Sequence, residues 1–424
     1  MNVNNLIKYG IRKGADYIQV NNIKSDIQKI NISENSFNQI TTLKQESYII
    51  STWVNKKRSV VTSNKLNEEV VDNAVKLAKL SKSDEYFFGL PSKNKKNNVK
   101  GIYSKKIADA SSEDIAKAVK DFLNKTKKIK ITEGDFRLGV RSSFVINSEG
   151  VDLNEKTTSL VFDVDVGYHK NGKISSYFDM AVSRDFIKLD QFAKHITDKT
   201  LFYLNRKEFK AEIDGVVLMP DVLNGLFEDA LSHNFNVMSL KNKDGLFEKT
   251  GSNIISEKIS ITDDAKLENG FSSYGFDYEG NLSQSTKIVD AGVFKNFITN
   301  YNLSKCFKLS NTGNAGVTSP NFSNIILNGE GVKNIFEYGK RFLVVDGILA
   351  SHTSNDITTE FSVKAGHAYL LEKNKKIPIH EAMLSGKFVD CLKQVHGFCF
   401  EEQEKGGFIS KALLFEKDAV NVIK

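Results

Sequence analysis

Asp229 and His233 are the residues whose types and spacing first suggest chemistry. They stand four apart in the segment PDVLNGLFEDALSHNF, residues 220–235. A helix turns about 100° per residue, so positions i and i+4 share a face. A carboxylate and an imidazole placed this way could supply two ligands to a metal ion. Catalytic zinc takes three protein ligands and keeps a further position open for water. Glu228 does not complete that set, because on a regular helix it lies about 140° from His233. The simpler expectation is an Asp229–His233 hydrogen bond, or a solvated helix face, with no metal bound.

The remaining reactive residue types form no recognisable constellation. His169 sits beside an Asn171-Gly172 turn, and His195 stands alone on a predicted helix. His352, His367, His380 and His396 are scattered without metal-ligand spacing. Thr312-Gly313-Asn314-Ala315-Gly316 has neither P-loop nor dinucleotide-binding order and is expected to be a tight turn near a surface. Asp263-Asp264 is expected to be a turn that opens a polar loop. Cys306, Cys391 and Cys399 make an odd count without a CxxC pair, which points to a reducing compartment.

Composition narrows the function further. The 424 residues exceed a typical single domain, and 40% are hydrophobic, enough for buried cores. The formal net charge is +7, but only 7 of the 59 basic residues are arginine. Arginine is the preferred residue for bidentate phosphate and guanine contacts. The lysines are dispersed, and the dense stretch 93–106 is expected to be a solvated loop. The charge therefore argues against nucleic acid as a partner. The N-terminal MNVNNLIKYG lacks the apolar region of a signal peptide. No stretch approaches the roughly 18 to 20 apolar residues needed to cross a bilayer. A soluble, cytoplasmic protein is expected, without membrane partners.

The elements that would position these residues form an α+β pattern. Residues 4–13 predict a short helix closed by Gly14. Strands follow at 17–20, around Ile27, Ile30 and Ile32, and at 48–54. Val70, Ala74, Leu77 and Ala78 mark one face of a helix over 67–81. Ser111 with Asp114 predicts a capping box before the stripe Ile115, Ala118, Val119 and Phe122. Residues 136–147 and 160–167 alternate like half-buried strands. Asn171-Gly172 then predicts a hairpin into 175–182. A helix is expected over 189–205. Residues 215–219 form a compact apolar strand, followed by Pro220 and the helix over 221–234. We expect two domains. The first, 1–210, carries helices and a long antiparallel sheet. The second, 211–424, is β-rich and contains the Glu228–His233 segment.

In the second half, Asp263-Asp264, Gly275-Phe276-Asp277 with Glu279-Gly280, and Gly292-Val293-Phe294-Lys295 follow one another. Thr312-Gly313-Asn314-Ala315, Ser319-Pro320, Thr359-Glu360-Phe361-Ser362, Ser385-Gly386 and Gly406-Gly407-Phe408-Ile409-Ser410 complete the series. In the first half, Gly14-Ala15-Asp16 begins a strand. The order of these blocks resembles the TldD/PmbA family. The resemblance implies a two-domain α+β chain that assembles as a dimer around an internal chamber.

In that family, the TldD-like branch carries HExxxH on a helix. Its two histidines and a cysteine near the C-terminus bind a metal, and its glutamate activates water. Here Glu228 replaces the first histidine and Asp229 the glutamate, leaving only His233. The cysteine is also absent from the Gly406-Gly407-Phe408-Ile409-Ser410 stretch. The resemblance therefore implies the PmbA- or TldE-like role. Such a chain has no catalytic residues or cofactor of its own and pairs with a TldD-like subunit that holds zinc or a similar metal. The complex would act on unfolded or extended peptides. A homodimer is the alternative assembly. Two other readings compete: a metallopeptidase with an altered ligand set around His233, and a nucleic-acid- or gyrase-associated regulatory protein.

Overall fold

The computed structural model of the chain describes residues 2–423 apart from Asn38, Asn94 and Asn374. Helix α1 (Val3–Arg12) begins at Asn2, whose side chain accepts from the Asn4 amide, and leads into strand β1 (Tyr17–Ser33). Strands β2 (Ile40–Val54) and β3 (Lys57–Ser63) precede helix α2 (Glu68–Leu80). After the short α3 (Lys105–Ala108), helix α4 (Ser112–Lys125) starts at the expected Ser111–Asp114 capping box. Strands β4 (Lys130–Asn147), β5 (Asp152–Lys170) and β6 (Lys173–Ser183) then lead to helix α5 (Asp190–Phe202). The six strands form one antiparallel sheet in the order β3-β2-β1-β4-β5-β6. The β5–β6 turn uses Asn171 and Gly172 at φ 53° and 76°, as the hairpin signal requires.

Two local expectations change. β1 is one 17-residue strand, where the sequence suggests two pieces. Polar residues around Lys24 interrupt the alternation, but β2 and β4 pair with β1 on both sides along this stretch and hold it extended. The buried face of α2 is also rotated. Val71, Ala74, Val75 and Ala78 are buried, while Leu77 is exposed. The sheet and α1 share a core with α2 built on Leu6, Ile18, Val20 and Ile50. A second core packs Phe122 of α4 against Phe162, with Phe136 on the same sheet face.

The second sheet begins with β7 (Gly215–Leu218), followed by helices α6 (Pro220–Ala230) and α7 (Met238–Asn242). Strands β8 (Ile259–Asp264), β9 (Ser285–Asp290) and β10 (Val293–Phe294) precede helix α8 (Tyr301–Phe307). Next come β11 (Ile325–Gly329), β12 (Arg341–Leu349), β13 (Glu360–Glu372), β14 (Lys375–Pro378) and β15 (Ala382–Lys387). Helix α9 (Phe388–Cys391) and strands β16 (Val395–Lys405), β17 (Phe408–Phe415) and β18 (Asn421–Ile423) complete the chain. The principal path runs β10-β9-β8-β11-β17-β7-β12-β13-β15-β18, with β14 on β13 and β16 on β17. Pairing is mainly antiparallel, with β7 parallel to β12 and β11 parallel to β17. Helix α6 buries Val222, Leu223, Leu226, Phe227 and Ala230 in the largest core. Among the described residues, no helix is long and apolar enough to cross a membrane.

Candidate functional site

The helix expected over 221–234 stops early. α6 ends at Ala230, Leu231 leaves helical geometry at φ −139°, ψ −36°, and Ser232–Phe235 forms a 3₁₀ turn. The cause lies in Asn234. Its buried side chain donates to the carbonyls of Asp356 at 2.7 Å and Ile357 at 3.2 Å, and accepts from the Leu246 amide at 2.6 Å. These bonds, with Leu231 buried beside them, favour the break over another α-helical turn. Ser232 Oγ donates to the Glu228 carbonyl at 2.9 Å and satisfies one group at the helix end.

The break separates the sequence-predicted set. The expected Asp229–His233 hydrogen bond is not made. His233 Nε2 instead lies 2.7 Å from Asp244 Oδ1. Glu228 is exposed, and its carboxyl is raised by desolvation and then by the neighbouring Asp229 charge. Cys391 and Cys399 are buried, with burial pushing each thiol up to about 12. At the glycine-rich hairpin, Ser410 is buried and its Oγ donates to the Lys411 carbonyl. Glu228, Asp229 and His233 therefore do not fit a three-ligand metal site. Among the described residues, no other group of three His, Cys, Asp or Glu side chains could hold one.

A cleft of about 560 Å³ with a mixed polar and apolar lining opens between the two sheets. Its floor is the face of the first sheet that presents Asn21, Arg141, Ser143, Glu155 and Thr157. The opposite wall is the loop 271–278 and the turn 314–317. That loop carries the Gly275-Phe276-Asp277 motif, and docking on the floor fixes it. Gln19 Nε2 and Asn21 Nδ2 both donate to the Tyr278 carbonyl, at 2.9 and 2.8 Å. Glu155 accepts from the Gly275 amide at 2.8 Å, and Phe276 packs with Val145, Val151 and Leu153. A Cβ on Gly280, at φ 85°, would stand 2.6 Å from Val151 Cγ1. The 93–106 stretch is not simply a solvated loop either. Asn97 bonds to Gly275 and Ser283, strapping the two halves together.

Buried carboxylates hold the cleft wall. Asp263 is the penultimate residue of β8, not a turn. It accepts from Asn314 Nδ2 at 2.8 Å, the Ser323 amide at 2.6 Å and Ser323 Oγ at 2.9 Å. Burial raises its carboxyl to about 6 against those bonds. Asp277 accepts from the amides of Glu279, Asn281 and Ala315. Burial and the adjacent Glu279 charge raise it as well. The 312–316 turn is therefore an interior element that ties the wall together.

Residues 214–421 match the PmbA/TldA metallopeptidase C-terminal domain. An uncharacterized protein of Methanocaldococcus jannaschii is 27% identical, with 99% of this chain and 100% of that protein covered. A metalloprotease PmbA homologue of Haemophilus influenzae is 20% identical, covering 87% of this chain and 84% of its own. The crystal structure of TldE from Thermococcus kodakarensis superposes with a TM-score of 0.90 at 21% identity, covering 100% of both chains. The chain belongs to the TldD/PmbA family.

Within this TldD/PmbA fold, a second polar cluster joins the first sheet to the start of α6. Asp179 of β6 lies 2.8 Å from Lys405 Nζ and 3.1 Å from His195 Nε2. Lys405 also reaches Asp221 at 3.2 Å. Burial lowers Lys405, but Asp221 and Asp179 outweigh it and the ammonium is raised. His195 is thus not solitary, and His367 Nε2 donates to the Ser176 carbonyl oxygen at 2.8 Å. Sequence reasoning missed Arg141, Glu155, Arg184, Asn314, Asp179 and Lys405. Arginine scarcity was a usable signal, since two of seven arginines line the cleft.

Proposed function

We propose that the chain is the PmbA/TldE-like subunit of a TldD/TldE-type metalloprotease complex. It shapes the site and engages unfolded or extended peptides, while a TldD-like partner supplies zinc or a similar metal and the water-activating base. The carrying observation is the break at Leu231, which gives His233 to Asp244 and disperses the degenerate ligand set. Losing two ligand types and shortening the base is hard to reconcile with metal-assisted hydrolysis by this chain. The cleft, with its mixed polar and apolar lining, supports a peptide-handling role. Its floor is an extended sheet, a surface type that favours strand-like ligands. The three free cysteines support a cytoplasmic setting. Residues 1–210 and 211–424 act as the two domains of this subunit.

The test is reconstitution with a TldD-like protein from the same organism. Peptidase activity that appears only in the mixture, and survives His233→Ala here, supports the proposal. Stoichiometric metal in the isolated chain that is lost in His233→Ala would overturn it and favour the altered-ligand metallopeptidase. Salt-sensitive DNA binding without any effect on the mixture's peptidase activity would favour the regulatory reading.

A further inference from the structure

The cleft contains an arginine that no direct hydrogen bond or ion pair holds in place. Arg141 lies on β4 opposite Thr157 of β5, at the cleft floor. Its side chain is exposed and makes no direct hydrogen bond or ion pair with another described residue, although the Glu155 charge on the same floor acts on it. The other cleft arginine is committed to structure. Arg184 donates to the carbonyls of Thr158 at 3.0 Å and Ser273 at 3.2 Å, and sits over the Phe271 ring. Glu155 is likewise engaged by the Gly275 amide. A planar guanidinium left open in a cleft suits bidentate pairing with a carboxylate.

Asn314 is committed to the cleft wall. Its side chain is 1% exposed, and Nδ2 donates to Asp263 and to the Asn321 carbonyl. An extended peptide offers Arg141 a complement, with carboxylates at its C-terminus or on acidic side chains.

We infer that the cleft is a peptide subsite in which Arg141 pairs with a ligand carboxylate. This rests on the peptide-handling role proposed above and adds a charge preference to it. The carboxylate is recognised by the guanidinium fork.

The test measures binding of fluorescent hexapeptides of uncharged sequence by anisotropy. Both the chain alone and its mixture with a TldD-like partner are used. Three ligands are compared: the free C-terminal acid, the C-terminal amide, and an amide carrying one internal Glu. Wild type, Arg141→Gln and Arg141→Lys are the proteins, since an exposed, unpaired Arg141 can change without disturbing the core. Far-ultraviolet circular dichroism confirms that each variant is folded. The inference expects at least one carboxylate ligand to bind about tenfold or more tightly than the plain amide. Arg141→Gln removes that advantage, Arg141→Lys restores part of it, and neither changes binding of the plain amide. Preference for the free acid assigns the site to a C-terminus; preference for the Glu peptide assigns it to an acidic side chain. Equal binding of all three, indifferent to Arg141, overturns the inference and leaves the peptide role standing. No binding in either preparation overturns both.

Discussion

Replacing Asp263 by asparagine isolates the electrostatic burden carried by the cleft wall. The side chain is fully buried at the end of β8, and three donor contacts surround it. Burial dominates and raises its carboxyl to about 6 in the folded chain. In the unfolded chain it titrates near 4. A folded value above the unfolded one means that the native state holds the proton more tightly. The associated stability is fully present below about pH 4 and is lost as pH rises through about 6. The difference corresponds to about 3 kcal/mol. Asp263→Asn resembles the protonated side chain in shape and charge, and its amide can donate to Ser323 Oγ. The stability of wild type relative to Asp263→Asn should therefore fall by about 3 kcal/mol between about pH 4 and pH 7. Urea unfolding of both proteins across this range, followed by circular dichroism, measures that difference. Other titrating groups cancel to the extent that the substitution leaves them unchanged. A difference that stays constant within about 0.5 kcal/mol would refute the reasoning. It would mean that the Asn314 and Ser323 donors keep Asp263 ionised throughout.

Other substitutions test neighbouring features. Gly313→Ala should destabilise by more than about 2 kcal/mol in thermal or urea unfolding. Gly313 has φ 69°, and its added Cβ would lie 2.1 Å from the Leu282 carbonyl oxygen. Gly172→Ala, at φ 76° with open space around it, should lose only about 1 kcal/mol; equal losses at the two sites would contradict the packing argument. Lys405→Met strands the carboxylates of Asp179 and Asp221 and should destabilise by about 3 kcal/mol. Adding Asp179→Asn should recover part of that loss, and no recovery would count against the cluster. His233→Ala and Asp244→Asn should each shift stability by about 1 kcal/mol, with a non-additive double mutant; strict additivity would deny their coupling.

Much of the α+β architecture was legible because its signals are local. The capping box at Ser111, the Asn171-Gly172 turn and the alternation along β4 and β5 act through adjacent residues. The length of β1 was less visible, because pairing with two neighbouring strands overrides a polar interruption. The end of α6 was also hidden. Asn234 terminates that helix by bonding to residues 356 and 357, more than a hundred positions away. The cleft was harder still, since Arg141, Glu155 and Asn314 come from three separate elements and share no sequence spacing.

The sequence by itself determined the family scaffold and the identities of Glu228, Asp229 and His233. Those identities are properties of covalent order, so their comparison with HExxxH, which the family resemblance implies, needs no fold. Only the tertiary structure decided what the remaining groups do. It turned His233 toward Asp244, buried Asp263 beneath the cleft wall, and left Arg141 open at its floor. Such roles depend on which distant groups meet and how far water is excluded between them. Neither quantity is written in local spacing.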